Sequence, residues 1–167
     1  DPIHNVIHGV TLIPATVLGP GHVRSHGTHK SWLGPLEIDN PRQIAAAQEL
    51  TQMLVGAGLD TEYHLDVHLP IWQKACFNVA MNGLSALADA PPGLIGDSPA
   101  LKAEAHYLAD ETIAVAHGLG IMVNGDQVHQ MISFACAKHR YHQPSMLQDI
   151  RAQRQTEISS LNGYIIE

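Results

Sequence analysis

Residues 70–89 read PIWQKACFNVAMNGLSALAD. A proline at the front pre-sets the backbone angle of a first helical turn, so a helix is expected to open at Pro70. Lys74, Asn78 and Asn82 stand four apart and therefore share one face. Nearly everything else is apolar or small, from Ile71 and Trp72 through Met81 and Leu84 to Leu87. A helix that is apolar almost all round buries most of its surface. Its single polar stripe then has two readings. It is a narrow strip turned to water, as charged residues usually are. Or it is the wall of a cleft, where a lysine supplies positive charge or a proton and carboxamides offer donors and acceptors to an oxygen-rich ligand.

Working outward, the chain before this helix changes character near residue 38. Residues 1–37 read as β-structure. Val6–Pro14 (VIHGVTLIP) is a buried-strand candidate, and Gly19–Gly21 is a turn. His22–His26 and Ser31–Leu36 are short strands around a Gly27–Lys30 connection that suits a hairpin. Asn40-Pro41 then places an N-cap before a first-turn proline, predicting a helix to about Val55 that stops at Gly56 and Gly58. Leu59–Leu69 alternates as an extended segment would. After the central helix comes a break at Pro91–Gly93. A third helix is capped by Ser98-Pro99 and ends near Gly118, and a fourth covers Asp126–Lys138. The loop HRYHQP follows.

The last stretch, Pro144–Ile165, reads PSMLQDIRAQRQTEISSLNGYI. Met146, Leu147, Ile150, Ile158 and Leu161 recur at helical spacing, and Ser145, Asp149 and Gln153 would share a face. Arg154 followed by Thr156-Glu157 hints at a bend near Gln155. A solvated face is the ordinary reading here too.

Composition excludes several functions. The 167 residues are 45% hydrophobic and 15% charged, a globular composition. A net charge of −7 argues against a nucleic-acid partner, because phosphates call for a surplus of lysine and arginine. No apolar run approaches the roughly 20 residues needed to cross a bilayer, so no membrane partner is expected. The opening DPIHNVIHG has neither a basic start nor an apolar run, so no signal peptide is expected there. Cys76 and Cys136 sit in apolar helical segments and read as buried free thiols of a reducing, cytoplasmic setting. The twelve histidines show no zinc-ligand spacing. His64, Asp66 and His68 would share a strand face, and His22, His26 and His29 lie close in sequence. Scattered histidines are expected, with no metal site.

The string Ser-Met-Leu-Gln-Asp (145–149), followed by Thr156-Glu157-Ile158 and Asn162-Gly163, resembles the signature of ketopantoate reductases (2-dehydropantoate 2-reductases). The Lys74, Asn78, Asn82 helix resembles the same family's substrate helix. GVTLIPATVLGPGHVRSHG followed by WLGPLE resembles the closing strands of its dinucleotide-binding domain. The resemblance covers nearly the whole chain, and the combination of motifs is more specific than either alone.

It implies an α+β fragment of an α/β enzyme. Residues 1–38 would be the last strands of a Rossmann-type sheet, and 39–167 a mostly helical substrate-binding and catalytic domain. No GxGxxG follows a strand, so the phosphate loop of such a domain is absent from this sequence. The chain is therefore expected to be truncated and inactive alone. In the family, NADPH delivers hydride to the C2 keto carbon of ketopantoate, giving pantoate for pantothenate synthesis. By resemblance Lys74 is the general acid. Asn78 and Asn82 bind substrate oxygens, and Ser145 binds near the substrate carboxylate. Glu157 contacts the cofactor ribose and helps to order the lysine. Asp149 fits the signature but also suits a structural pairing with Arg151 or Arg154. The implied partner is a small 2-keto acid. An unpaired strand edge also invites contact with another copy, a homodimer.

Two departures bear on the substrate. His142 stands where many relatives place an asparagine, and another expected asparagine is replaced near Pro92. A reductase of a different keto acid with the same architecture is therefore one alternative, since pocket choice rests on such polar contacts. A non-catalytic helical interaction or dimerisation domain is the other.

Overall fold

The computed structural model describes residues 6–25 and 29–167. The segment before Val6, together with His26 and Gly27 of the expected strand, connection and histidine group, lies outside the described residues. Contacts divide the chain into two units, Asp1–Ile71 and Trp72–Glu167.

In the first unit a three-stranded sheet has the order β1 (Ile7–Thr11), β4 (Ser31–Pro35), β5 (Thr61–Tyr63). β1 runs antiparallel to β4, with Gly9 opposite Leu33, and β4 runs parallel to β5, with Trp32 opposite Glu62. A separate two-stranded ribbon joins β2 (Ala15–Gly19) to β3 (His22–Ser25). Its turn is the expected Gly19–Gly21, where Gly21 takes a φ of 69° that favours glycine. The hairpin expected between residues 22–26 and 31–36 is corrected: β3 pairs backwards with β2, and β4 pairs with β1 and β5. β1 is also half-buried, not buried as expected.

Helix α1 (Pro41–Gly56) begins where the sequence said it would. The Asn40 carboxamide oxygen accepts from the backbone N–H of Arg42 at 3.1 Å and of Gln43 at 3.3 Å. α1 packs on β4 and β5. Gln43 is 1% exposed on that side, and its Oε1 accepts from the Glu37 N–H at 2.8 Å, which removes most of the cost of burying an amide. Beneath it β4 comes close to the chain leaving β5. A Cβ at Gly34 would lie 2.1 Å from the His64 carbonyl oxygen and 2.7 Å from the Val67 Cβ, so only glycine fits.

The extended segment expected over Leu59–Leu69 is limited to β5; a turn follows, and helix α2 (His68–Ala88) starts two residues before Pro70. His64, Asp66 and His68 therefore share no strand face. His68 instead meets His8 edge-on at 5.4 Å between ring centroids, and its Nε2 lies 3.3 Å from the Leu36 carbonyl oxygen.

The second unit is helical. The Pro91–Gly93 break contains a short helix that the sequence did not announce, α3 (Pro92–Asp97). α4 (Pro99–Gly118) has the expected Ser98 cap, whose hydroxyl accepts from the Leu101 N–H at 3.4 Å. α5 (Gly125–Lys138) packs on both α3 and α4. Small residues let these helices approach. Ala105, Ala109 and Ala116 are 0% exposed, and a Cβ at Gly96 would sit 2.7 Å from the Cys136 Cβ. Met81, Ile95, Ile132, Met146 and Leu147 are the largest fully buried apolar side chains, so the core gathers α2, α3, α5 and the chain near residue 146.

The last stretch is not one helix. α6 (Ser145–Arg151) ends early, Gln153 takes a φ of 53°, and a 3-10 turn (Ile158–Ser160) leads into α7 (Asn162–Ile166). Gln153 thus leaves the face it was expected to share with Ser145 and Asp149.

Candidate active site

The polar stripe of α2 is partly withdrawn from water, while Ser145 and Glu157 are exposed. Lys74 and Asn78 are half-buried, and Asn82 is 7% exposed. Burial holds the Lys74 ammonium below the ordinary lysine pKa, with the charge of Glu157 opposing that shift. Glu157 arrives from the bend between α6 and the 3-10 turn. Its Oε1 accepts from the Ser145 hydroxyl at 3.4 Å, at the first residue of α6. Ser145, Glu157 and Lys74 are thereby linked, while Asn78 and Asn82 continue the Lys74 face one and two turns on.

Chemically, this is a partly desolvated ammonium beside a carboxylate and a hydroxyl, with two carboxamides along the same wall. Such a set can hold an oxygen-rich anion and move one proton.

The remaining expected residues fall as follows. Asp149 pairs with Arg154, at 2.9 Å to Nε and 2.8 Å to the terminal nitrogen. Arg151 goes to Asp89 instead, its Nε donating to Oδ1 at 2.7 Å. Pro92 is buried at the start of α3, and His142 is exposed in the loop before α6. Among the described residues no group of three histidine, cysteine or acidic side chains is placed to hold a metal ion. Burial pushes the Cys76 thiol up to about 11, which keeps it protonated and unreactive. A shallow cavity of about 180 Å³ lies among Asp97, Lys102, Cys136 and Arg140, and none of the five expected site residues lines it.

Sequence reasoning gave Asn162 only as part of the Asn-Gly signature and missed its contact with α2. The Asn162 side-chain amide donates to the Val79 carbonyl oxygen at 3.2 Å. The available signal was Gly83: a glycine inside a helix costs about 1 kcal/mol against alanine, so it marks a close approach.

Comparison with known proteins agrees with this architecture. The curated 2-dehydropantoate 2-reductase of Streptococcus pyogenes serotype M3 (strain ATCC BAA-595 / MGAS315) is 32% identical over 168 residues, covering 98% of this chain and 53% of that protein. That of Archaeoglobus fulgidus is 30% identical over 162 residues, covering 97% and 53%. The chain thus spans about half the length of the curated relatives it matches. Among solved structures, a ternary complex of D-mandelate dehydrogenase with NADH and anilino(oxo)acetate superposes with a TM-score of 0.89 at 30% identity, over 99% of this chain and 53% of that one. The 2-dehydropantoate 2-reductase of Geobacter metallireducens superposes with a TM-score of 0.87 at 28% identity, over 98% and 54%. The model for the C-terminal part of ketopantoate reductase PanE/ApbA matches residues 66–167, more than half of the chain, which therefore belongs to the ketopantoate reductase family.

Proposed function

We propose that the protein containing this chain reduces 2-dehydropantoate to pantoate with NADPH, and that this chain supplies the substrate side of the site. The carrying observation is the half-buried Lys74 acted on by Glu157, which in turn holds the Ser145 hydroxyl. Residues 1–38 are proposed as closing strands of the dinucleotide-binding domain and 39–167 as the substrate-binding and catalytic domain. When bound, the nicotinamide supplies the hydride.

The residues present do the following. Asn78, Asn82 and Ser145 bond the substrate's oxygens and orient the keto group. The Lys74 ammonium polarises the C2 carbonyl and stabilises the negative charge that grows on its oxygen. As the alkoxide forms, Lys74 Nζ gives it a proton, completing the hydroxyl, and the neutral amine regains a proton from solvent. Glu157 keeps Lys74 charged against the pull of burial, and is proposed to bond the cofactor ribose as well. The buried free thiols Cys76 and Cys136 suit a cytoplasmic protein.

Lys74→Ala in the protein at its full encoded length tests this. Turnover should fall by about two to four orders of magnitude, about 3–5 kcal/mol of transition-state stabilisation, with folding nearly intact. A loss of stability without a kinetic effect would support a non-catalytic helical module instead.

A second reading keeps the chemistry and changes the keto acid. His142 stands where an asparagine was expected and another is replaced near Pro92, and the neighbour at TM-score 0.89 is a D-mandelate dehydrogenase. A panel of branched aliphatic and aryl 2-keto acids, each with NADPH and NADH, separates the two. Higher kcat/KM for an aryl keto acid than for 2-dehydropantoate would move the assignment.

A further inference from the structure

The Val79 carbonyl sits in mid-helix, between Asn78 and Asn82 in sequence. Asn162 gives it an additional donor from outside the helix, at 3.2 Å. That approach depends on what Gly83 lacks. A Cβ there would lie 3.1 Å from Asn162 Oδ1, 3.2 Å from Nδ2 and 3.4 Å from Cγ. The amide therefore occupies a notch in α2 one residue beyond Asn82. Its Oδ1 is buried without a hydrogen-bond partner, so the donor end alone ties it down.

Asn162 stands five residues after Glu157, and the chain between them is tightly wound. The N–H groups of Ser160 and Leu161 both donate to the Glu157 carbonyl oxygen, at 2.9 and 3.1 Å. The 3-10 turn and α7 also pack on each other. Glu157 and Asn162 are thus joined by a short, hydrogen-bonded stretch of backbone. We infer that Asn162, seated in the Gly83 notch, is a positioning residue that fixes where the Glu157 carboxylate stands relative to Lys74. It touches no reacting atom; it acts through Glu157, and the inference rests on the reading of Lys74 as the general acid.

Gly83→Ala and Asn162→Ala test it in the full-length protein. Alanine favours a helix over glycine, so Gly83→Ala should not weaken α2 itself, while its methyl should push the Asn162 amide back by a few tenths of an ångström. Each variant should lower kcat about tenfold with KM nearly unchanged. The double variant should lose little more than either single one, because both break the same contact. A second readout needs no turnover: the pH dependence of Lys74 acylation, followed by peptide mass spectrometry. With Glu157 displaced, the midpoint of that curve should move to lower pH in both variants. Unmoved midpoints, or additive kinetic losses, would overturn the positioning role. If Lys74→Ala kept full turnover, the general-acid reading would fail instead, and the acylation curves would still decide whether Asn162 places Glu157.

Discussion

Arg151 holds Asp89 at two points: Nε donates to the carboxylate at 2.7 Å, and a terminal nitrogen donates to the backbone carbonyl at 3.3 Å. Asp89 is the residue that stops α2. Its φ is 46°, and the Ala90 N–H reaches back to the Ser85 carbonyl at 3.0 Å, closing the helix end as a left-handed residue allows. Glycine adopts that backbone freely, aspartate less so, and alanine least. The ion pair is largely exposed, so it contributes at most about 1 kcal/mol. Asp89→Gly should therefore destabilise less than Asp89→Ala, by about 1 kcal/mol in urea unfolding. The reverse order would mean that the Arg151 contact outweighs the backbone term.

The rate should carry the signature of a lysine whose pKa is lowered. A general acid must be protonated, so kcat falls as pH rises through the Lys74 pKa, which burial sets below the ordinary lysine value of about 10.4. Glu157→Gln removes the charge that opposes burial. The alkaline limb of the kcat profile should then shift to lower pH. A limb that stays in place would separate Glu157 from Lys74.

Ser85 on α2 is 0% exposed, and its hydroxyl has no hydrogen-bond partner. A buried hydroxyl without a partner costs about 1–3 kcal/mol. Ser85→Ala should leave the thermal midpoint unchanged or raise it. A marked fall would show that the hydroxyl is bonded in solution.

Acid should weaken the helical unit through His106. Its Nδ1 lies 2.5 Å from His129 Nδ1, and His129 Nε2 lies 2.8 Å from Asp110 Oδ1. Burial first, then the charges of His129 and Lys102, lower the His106 pKa, with Asp110 opposing. The folded state then binds that proton less tightly than the unfolded chain does. The stability contribution is complete above the unfolded value of about 6.5 and is lost as pH falls from there through the lowered folded value. His106→Gln should flatten the stability–pH slope in that window; an unchanged slope would rule His106 out as its source.

The helices were legible where local chemistry punctuates them. Asn40-Pro41 and Ser98-Pro99 each announce a start, and both caps form. The strands were harder because pairing is non-local: nothing in HVRS says whether its partner lies before it or after it. α3 hid behind Pro91-Pro92-Gly93, which looks like a break, although a proline at a first helical position is well tolerated. Pro144–Ile165 misled for a different reason. Between Ile150 and Ile158 it offers no large apolar side chain, so a continuous helix would have no face to bury there. The interruption is useful, because it turns Glu157 back toward the α2 stripe. The lysine and its two carboxamides were readable from their spacing of four. The Asn162 contact was not, since it joins residues 83 apart in sequence.

Gly34 closes a different question. Its missing side chain faces the His64 carbonyl oxygen and Val67, where an added methyl would overlap backbone that has nowhere to retreat. A saturation library at this codon, selected for folded product, should return glycine alone, whereas Gly19 and Gly56, which face open space, should accept many replacements.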